Sequence, residues 1–433
     1  MADTIFALAT PPGRSGVAVI RVSGAAAFSS AARLGAGPAP ARRAMLRRLR
    51  DPRDGQVLDD ALVLRFEGPE SYTGEDVVEL HVHGGPAVCR SIDAVLATLP
   101  GLRPAEAGEF TRRALLNGKL DFAQVEGVGD LLAAETAAQA RQAMALMDGA
   151  LSGQAARWRD GLLRALALIE ASIDFAEEEL PVTLIAEVDA LLAGAEGSFA
   201  TEIVGSVASE RLREGFEVAL LGAPNVGKST LLNFLAGREA ALTSEVAGTT
   251  RDVIEVRMDL SGLPVTLIDT AGLRDTADPV EGMGVDRARQ RAARADLRVF
   301  LLEAWEDVER LGVSVRDGDQ VVLNKADTRP DCAGAVSGIS GAGANALLAA
   351  IVGELQERIA GAGLINRTRQ RLAVERAQGA VRRARVALKT EPGRVEIAAE
   401  EVQAAMRALD VLVGKVDVEA VLDVVFQSFC IGK

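Results

Sequence analysis

The sequence predicts a multidomain α/β plus α protein. A mixed α/β region opens the chain, a helical bundle is assembled from two separated stretches, and a parallel α/β domain is inserted between those stretches. Three observations predict it. A chain of 433 residues is too long for one ordinary core, and its length points to about two to four domains. The texture changes near residue 119, and the same texture returns near residue 366: alanine- and leucine-rich sequence with apolar residues at helical spacing and few breakers. Between residues 215 and 365, apolar strand-like runs alternate with helical stretches, as a parallel sheet requires.

Residues 1–118 form the first region. Val17-Ala18-Val19-Ile20-Arg21-Val22 and Leu62-Val63-Leu64-Arg65-Phe66 read as strands, and turns such as His83-Gly84-Gly85-Pro86 punctuate them. Residues 119–214 read as helical. So do residues 366–433, where Asn366 to Lys389 and Val395 to Leu412 are long amphipathic candidates. Neither helical stretch has a route to a large core alone, so the two are expected to pack into one bundle carrying residues 215–365 as an insert. No internal repeat is present.

Composition narrows the function classes. Hydrophobic residues make up 48% and charged residues 25%, the balance of a soluble globular protein. A formal net charge of -13 argues against a surface that is one nucleic-acid footprint, and 3% aromatics argue against extensive base-stacking platforms. Cys89, Cys332 and Cys430 are far apart and unpaired in pattern. With only His81 and His83 beside them, neither a zinc site nor a disulfide framework is indicated, and a reducing, cytoplasmic setting fits. The two histidines share one face of a strand and read as structural hydrogen-bonding groups. Met1-Ala2-Asp3-Thr4 leads into no signal-peptide pattern. The stretch from Cys332 to Gly353 is uncharged and long enough for a bilayer, but Gly334, Gly338, Gly341 and Gly343 break it. A loop followed by a buried helix is expected, with no membrane association.

The chemistry concentrates in residues 215–365. The strand candidate Phe216–Leu221 runs into Gly222-Ala223-Pro224-Asn225-Val226-Gly227-Lys228-Ser229, with a helical pattern from Thr230. This is GxxxxGK[ST] in strand–loop–helix context, a phosphate-binding loop: its amides cradle phosphate oxygens and the helix N-terminus adds free donors. Lys228 is placed to reach the β- and γ-phosphates, and Ser229 to offer its hydroxyl to Mg2+. The bland alternative is a glycine-rich turn. Two further motifs argue against it. Asp269-Thr270-Ala271-Gly272 follows the strand Val265–Leu267, with Asp269 placed to hold the metal's water shell and Gly272 to let an amide meet the γ-phosphate. Asn324-Lys325-Ala326-Asp327 follows the strand Gln320–Leu323. A carboxylate such as Asp327 pairs with the two N–H donors on one edge of guanine, which adenine lacks, so the expected ligand is GTP. Between these motifs lies Ala247-Gly248-Thr249-Thr250-Arg251-Asp252, where Thr250 is the natural switch threonine and second Mg2+ ligand; the alternative is a surface turn. Ser340-Gly341-Ala342 is read as the loop backing the guanine.

Leu273 follows Gly272, and an apolar side chain cannot orient an attacking water. Asp275, Asp278 and Glu281 are the acidic candidates downstream, and nothing local decides among them. Asn225 offers a side-chain oxygen beside the phosphates that could help hold a monovalent cation, which can neutralise developing charge in place of an arginine finger.

The chain resembles the MnmE (TrmE) family of bacterial tRNA-modification GTPases almost end to end. The resemblance is carried by Ala9-Thr10-Pro11-Pro12-Gly13-Arg14, Ile20-Arg21-Val22-Ser23-Gly24, Tyr72-Thr73-Gly74-Glu75-Asp76, Gly108-Glu109-Phe110-Thr111-Arg112-Arg113-Ala114, Leu116-Asn117-Gly118-Lys119-Leu120-Asp121 and the terminal Phe429-Cys430-Ile431-Gly432-Lys433. It implies an N-terminal domain over 1–118 that dimerises and binds a 5-formyl-tetrahydrofolate-type one-carbon donor, a helical domain over 119–214 and 366–433, and an inserted Ras-like G domain over 215–365. It implies a homodimer that joins the flavoprotein MnmG in a heterotetramer and modifies carbon 5 of the wobble uridine of certain tRNAs. It also implies G domains that pair across their nucleotides when K+ is bound. By position it assigns K+ ligation to Asn225, Ser244, Val246 and Thr249, and nucleotide contact to the loop that also holds Glu245. Water orientation falls to Glu281, the folate pocket to Arg21, Glu79, Lys119 and Lys433, and a role in tRNA modification to Cys430.

The alternatives for these residues are plain. Arg21 and Glu79 could be a structural ion pair, Lys119 a solvated helix cap and Cys430 a small packed side chain. The sequence departs from the family pattern at Leu301-Leu302-Glu303-Ala304-Trp305, where the usual strand ends in aspartate, and at the glycine in the middle of Ser340-Gly341-Ala342. Arginines crowd residues 42–53 and 367–385. Either cluster is a solvated face or a track for tRNA phosphates, and the helical cluster is the preferred tRNA candidate. A competing reading of the whole is a ribosome-assembly GTPase of the Era or Der type, which shares the Gly-Thr-Thr-Arg-Asp switch but lacks the Phe-Cys-Ile-Gly-Lys terminus.

Overall fold

The computed structural model describes residues 3–174, 182–237, 255–269, 293–311, 313–328, 334–390, 395–414 and 432. The chain divides into two compact units, Met1–Gly129 with Asp410–Lys433, and Asp130–Leu409.

The first unit is built on a six-stranded sheet in the order β3-β4-β5-β2-β1-β6: β1 Thr4–Leu8, β2 Ser15–Ser23, β3 Met45–Arg50, β4 Val57–Phe66, β5 Val77–Gly84 and β6 Leu102–Pro104. All its pairings are antiparallel except β1 with β6. The strands alternate in burial. Ile20, Val22, Val78, Leu80 and Val63 join a core with residues of α1 (Ala27–Arg33) and α2 (Pro86–Ala97). The residues between them on β2 and β5, Arg21, Glu79 and His81, stand on the other, half-buried face. That period of two puts the polar side chains of neighbouring strands side by side. Two further helices follow, α3 Glu109–Leu116 and α4 Phe122–Ala133.

The second unit holds the longer helices α5 Ala137–Met147, α6 Ala150–Asp174 and α7 Val182–Glu214. A capping box between Thr136 and Gln139 starts α5. Trp158 of α6 meets Phe199 of α7 edge-on at 4.9 Å and donates to Ser198 Oγ at 2.8 Å, so one aromatic fills the core while its N–H is satisfied. The α/β sheet follows: β7 Phe216–Leu221, α8 Lys228–Ala236, β8 Glu255–Leu260, β9 Leu263–Asp269, β10 Leu297–Leu302, α9 Asp307–Arg310, β11 Gln320–Leu323 and α10 Ala344–Ile359. Its strand order is β11-β10-β7-β9-β8, with only the β8 edge antiparallel. The helices α11 Thr368–Thr390 and α12 Val395–Val413 are the last of the described helices. Within this unit, Ser209 of α7 donates to the Gly363 carbonyl at 2.7 Å and Arg213 to the Asn366 carbonyl at 2.9 Å, so α7 is tied to the segment that leads into α11.

The uncharged stretch beginning at Cys332 resolves as expected where it is described: a loop, then α10, which buries Leu347, Ile351 and Leu355 against the sheet. No described helix is long and apolar enough to cross a membrane.

Candidate nucleotide site and N-terminal polar cluster

A parallel sheet collects its loops at the carboxyl ends of its strands, and ligands bind there. Leu220 of β7 lies opposite Asp269 of β9, and Leu302 of β10 opposite Leu323 of β11. The phosphate loop, Asp269, Glu303 and Asn324 are therefore delivered to one edge.

The loop is held from inside. Lys228 is 4% exposed, and its Nζ donates to the carbonyls of Gly222 at 2.8 Å and Ala223 at 2.9 Å. Burial lowers the lysine's pKa, with Asp269 acting against it. Ser229 Oγ donates to Asp269 Oδ2 at 2.5 Å, so the two expected metal-site oxygens already touch. Asn225 takes the left-handed conformation at φ 62° with its side chain exposed. Gly227 caps α8 at φ 104°, and a Cβ there would collide with the Asn324 amide. That contact is part of a tie between motifs: Asn324 Nδ2 donates to the Val226 carbonyl, while the buried Asn324 Oδ1 has no partner among the described residues. Thr230, on the first turn of α8, is exposed.

The serine that meets Asp327 is Ser337, whose Oγ donates to Asp327 Oδ1 at 2.5 Å and accepts the amides of Ile339 and Ser340 at 3.2 Å each. Ser340 instead accepts the Ala342 amide at 3.3 Å within its own turn, and Gly341 lies against the ring of Phe234. The Ser337 loop rests on the first turn of α8, where a Cβ on Gly338 would fall 2.5 Å from the Leu231 amide nitrogen. The signal available in the sequence was the serine that ends the apolar Ala335-Val336 pair.

In the first unit, Arg21 and Glu79 are direct cross-strand partners, joined at 2.9 Å and each 18% exposed. The Arg21 guanidinium lies 5.6 Å from the Tyr72 ring centre and 5.7 Å from that of Phe110. His81 Nε2 is 3.2 Å from the other Glu79 oxygen, and Tyr72 shares a 2.8 Å hydrogen bond with Thr111. Lys119 is exposed, and its stem runs over the same loop, 3.2 Å from where a Cβ on Gly74 would stand. Gly432 packs against the Leu8 carbonyl and Ala9; Leu8 pairs with Ile20, beside Arg21. Arg21, Glu79 and Lys119 were named from the sequence. The fold adds Tyr72, Phe110 and His81 beside Arg21 and Glu79. A chain of ion pairs runs through α3: Arg103 and Arg113 both hold Glu109, and Arg113 also holds Glu75.

The model of the GTP-binding protein TrmE N-terminus matches residues 4–119, and that of the MnmE helical domain matches residues 122–430. The tRNA modification GTPase MnmE of Ruegeria pomeroyi is 54% identical over 431 residues, covering 100% of both chains. The chain belongs to the MnmE family. The MnmE of Cereibacter sphaeroides is 55% identical, again over 100% of both. Among solved structures, Aquifex aeolicus Era bound to GDP and aluminium fluoride is 26% identical over 32% of this chain and 56% of that chain. Its TM-score is 0.25.

Several residues that the MnmE resemblance singles out lie outside the described residues: Ser244 through Thr250, Thr270 to Gly272, Glu281, Cys430 and Lys433. The arginine-rich helix α11, the preferred tRNA candidate, is described, and several of the arginines in and just before it form ion pairs. Arg382 and Arg385 pair with Glu196 of α7, Arg385 also with Asp189, Arg383 with Glu401 of α12 and Arg367 with Asp130. Much of its charge is neutralised within the unit. On β3 the arginines are freer: Arg48 pairs with Asp60, while Arg47 and Arg50 donate to backbone carbonyls.

Proposed function

We propose that this GTPase of the MnmE family couples GTP hydrolysis to modification of carbon 5 of the wobble uridine of certain tRNAs. The added group is aminomethyl or carboxymethylaminomethyl, and the cytoplasmic homodimer acts in a heterotetramer with the flavoprotein MnmG. In this reading the chain works as three parts: residues 1–118 for dimerisation and the one-carbon donor, 119–214 with 366–433 as the helical domain, and 215–365 as the G domain.

One observation supports it above the others. The phosphate loop and the guanine motif are physically joined, Asn324 to Val226, while Asp327 is oriented by Ser337 at the same sheet edge. Lys228 exchanges two carbonyls for β- and γ-phosphate oxygens, and the α8 amides take the rest. Ser229 and Asp269 are hard oxygen groups in contact, which suits Mg2+ with Thr250 completing the protein ligands. No cluster of three His, Cys, Asp or Glu side chains among the described residues could hold a metal. Such an ion therefore relies on phosphate and water oxygens as well. Asn225, exposed on the outer rim of the loop, fits a K+ ligand together with Ser244, Val246 and Thr249, and Glu281 orients the attacking water. Arg21, Glu79, Lys119 and Lys433 fit a folate-type donor: a carboxylate facing a guanidinium beside two aromatic rings suits a flat, polar, partly anionic ligand. Cys430 serves the modification step.

Nucleoside analysis of tRNA from a strain lacking the gene tests the reading. Wobble uridines without their carbon-5 group are expected; unchanged uridines would remove it. Hydrolysis assayed in K+ and in Na+ tests the cation role, and equal rates would dismiss that part.

A further inference from the structure

We propose that Glu303 is a positioning residue for guanine recognition and acts through Lys325; this rests on the nucleotide-site reading above.

The topology brings the two residues together. β10 and β11 are parallel with Leu302 opposite Leu323, and the Asn324 amide donates to the Leu302 carbonyl at 2.8 Å. The next residue on each strand, Glu303 and Asn324, therefore emerges side by side at the ligand-binding edge. Lys325 follows in the left-handed conformation, φ 63°, which a side-chain-bearing residue adopts only when its surroundings impose it. The surroundings are visible: Asn324 on one side is tied to Val226, and Asp327 on the other to Ser337. Between those ties the Lys325 ammonium meets Glu303 Oε1 at 2.5 Å. Glu303 has a fixed base, because the next amide, Ala304, donates to Asp307 Oδ2 at 3.0 Å and opens α9.

The pair is about half exposed on both sides, 45% and 47%, so its worth to folding is small. What it supplies is order. A free lysine stem samples many rotamers, and binding a flat ligand along it would freeze them. A stem already tethered at its far end has less freedom to lose. Glu303 thus sets the Lys325 stem along one side of the space between the phosphate loop and Asp327, ready to cover the base.

Equilibrium binding of a fluorescent guanosine diphosphate to the full chain tests this. E303A and the isosteric E303Q are each expected to bind about two- to fivefold more weakly at low salt, the range for an exposed ion pair. E303D, which keeps the charge, should recover part of the loss. Adding sodium chloride to about 1 M should close most of the gap, because exposed charges are then screened. In a K325A background, E303A should cost nothing further, since the coupling runs through the lysine. Wild-type affinity in E303A, or the same loss in K325A as in the parent, would overturn the proposal. If the unaltered protein itself failed to bind the probe, the guanine-site reading would fall, and this proposal with it.

Discussion

Ser337 donates its hydroxyl proton to the carboxylate of Asp327 at 2.5 Å, from a loop packed on the first turn of the phosphate-loop helix. The carboxylate of Asp327, an exposed residue, is therefore held by a residue ten positions further along the chain.

Removing that hydroxyl is expected to weaken guanine-nucleotide binding. A hydrogen bond to a charged group contributes about 1.5–3 kcal/mol, and exposure of Asp327 argues for the low end, so Ser337→Ala should cost about tenfold in affinity. Ser340→Ala should cost little, because that hydroxyl serves only its own turn. Calorimetric titration with GDP checks both; the reverse order would give Ser340 the larger part in guanine binding.

The Arg21–Glu79 pair predicts a ligand effect. Both side chains are mostly covered, so truncating one leaves a partly buried charge without its partner. Glu79→Ala and Arg21→Ala should each reduce binding of 5-formyl-tetrahydrofolate by about tenfold or more. Calorimetric titration with 5-formyl-tetrahydrofolate measures the binding in each protein. Equal affinity in all three proteins would make the pair purely structural.

Glu109 predicts a pH dependence. Burial pushes its carboxyl up, but Arg103, the Glu106 amide and Arg113 together outweigh burial and hold it down to about 2. A carboxyl whose folded pKa is depressed adds stability above its unfolded value near 4.5, and loses it as pH falls through the folded value. Glu109→Gln should therefore melt earlier than the parent at neutral pH, with the gap narrowing as pH drops from about 4.5 towards 2. A gap independent of pH would show that the charge is not what Glu109 contributes.

Arg385 bridges Asp189 at 2.8 Å and Glu196 at 2.6 Å. Its charge is committed within the unit. Arg385→Ala should destabilise the packing of α11 on α7 by about 1 kcal/mol, and leave the salt dependence of tRNA binding unchanged. A fall of about one in the logarithmic salt slope would mean that it contacts phosphate.

Much of the local structure was legible because its causes are local. Gly222–Ser229 needs a strand before it and a helix after it, and β7 and α8 supply them. The apolar run Gln320–Leu323 became a strand with the bounds expected, and Val17–Val22 extended to Ser15–Ser23. The helical spacing over Asn366–Lys389 became α11. The fate of its arginines was not legible: whether a guanidinium meets phosphate or a neighbouring helix depends on which acids that helix presents, and sequence spacing along α11 carries no information about α7.

What the sequence alone determined is the chemistry each segment carries: amides and a lysine of the kind that suit phosphates, an aspartate of the kind that suits guanine, an arginine and a glutamate of opposite charge on separate strands. Those properties travel with residue type and immediate neighbours. The tertiary structure decided which groups meet. Strand register set Arg21 opposite Glu79, and the fold carried Tyr72 and Phe110 to the same guanidinium. Loop packing chose Ser337 over Ser340 for Asp327. The reason is geometric: a hydrogen bond reaches about 3 Å, and a one-residue change of register or a different turn moves a side chain farther than that.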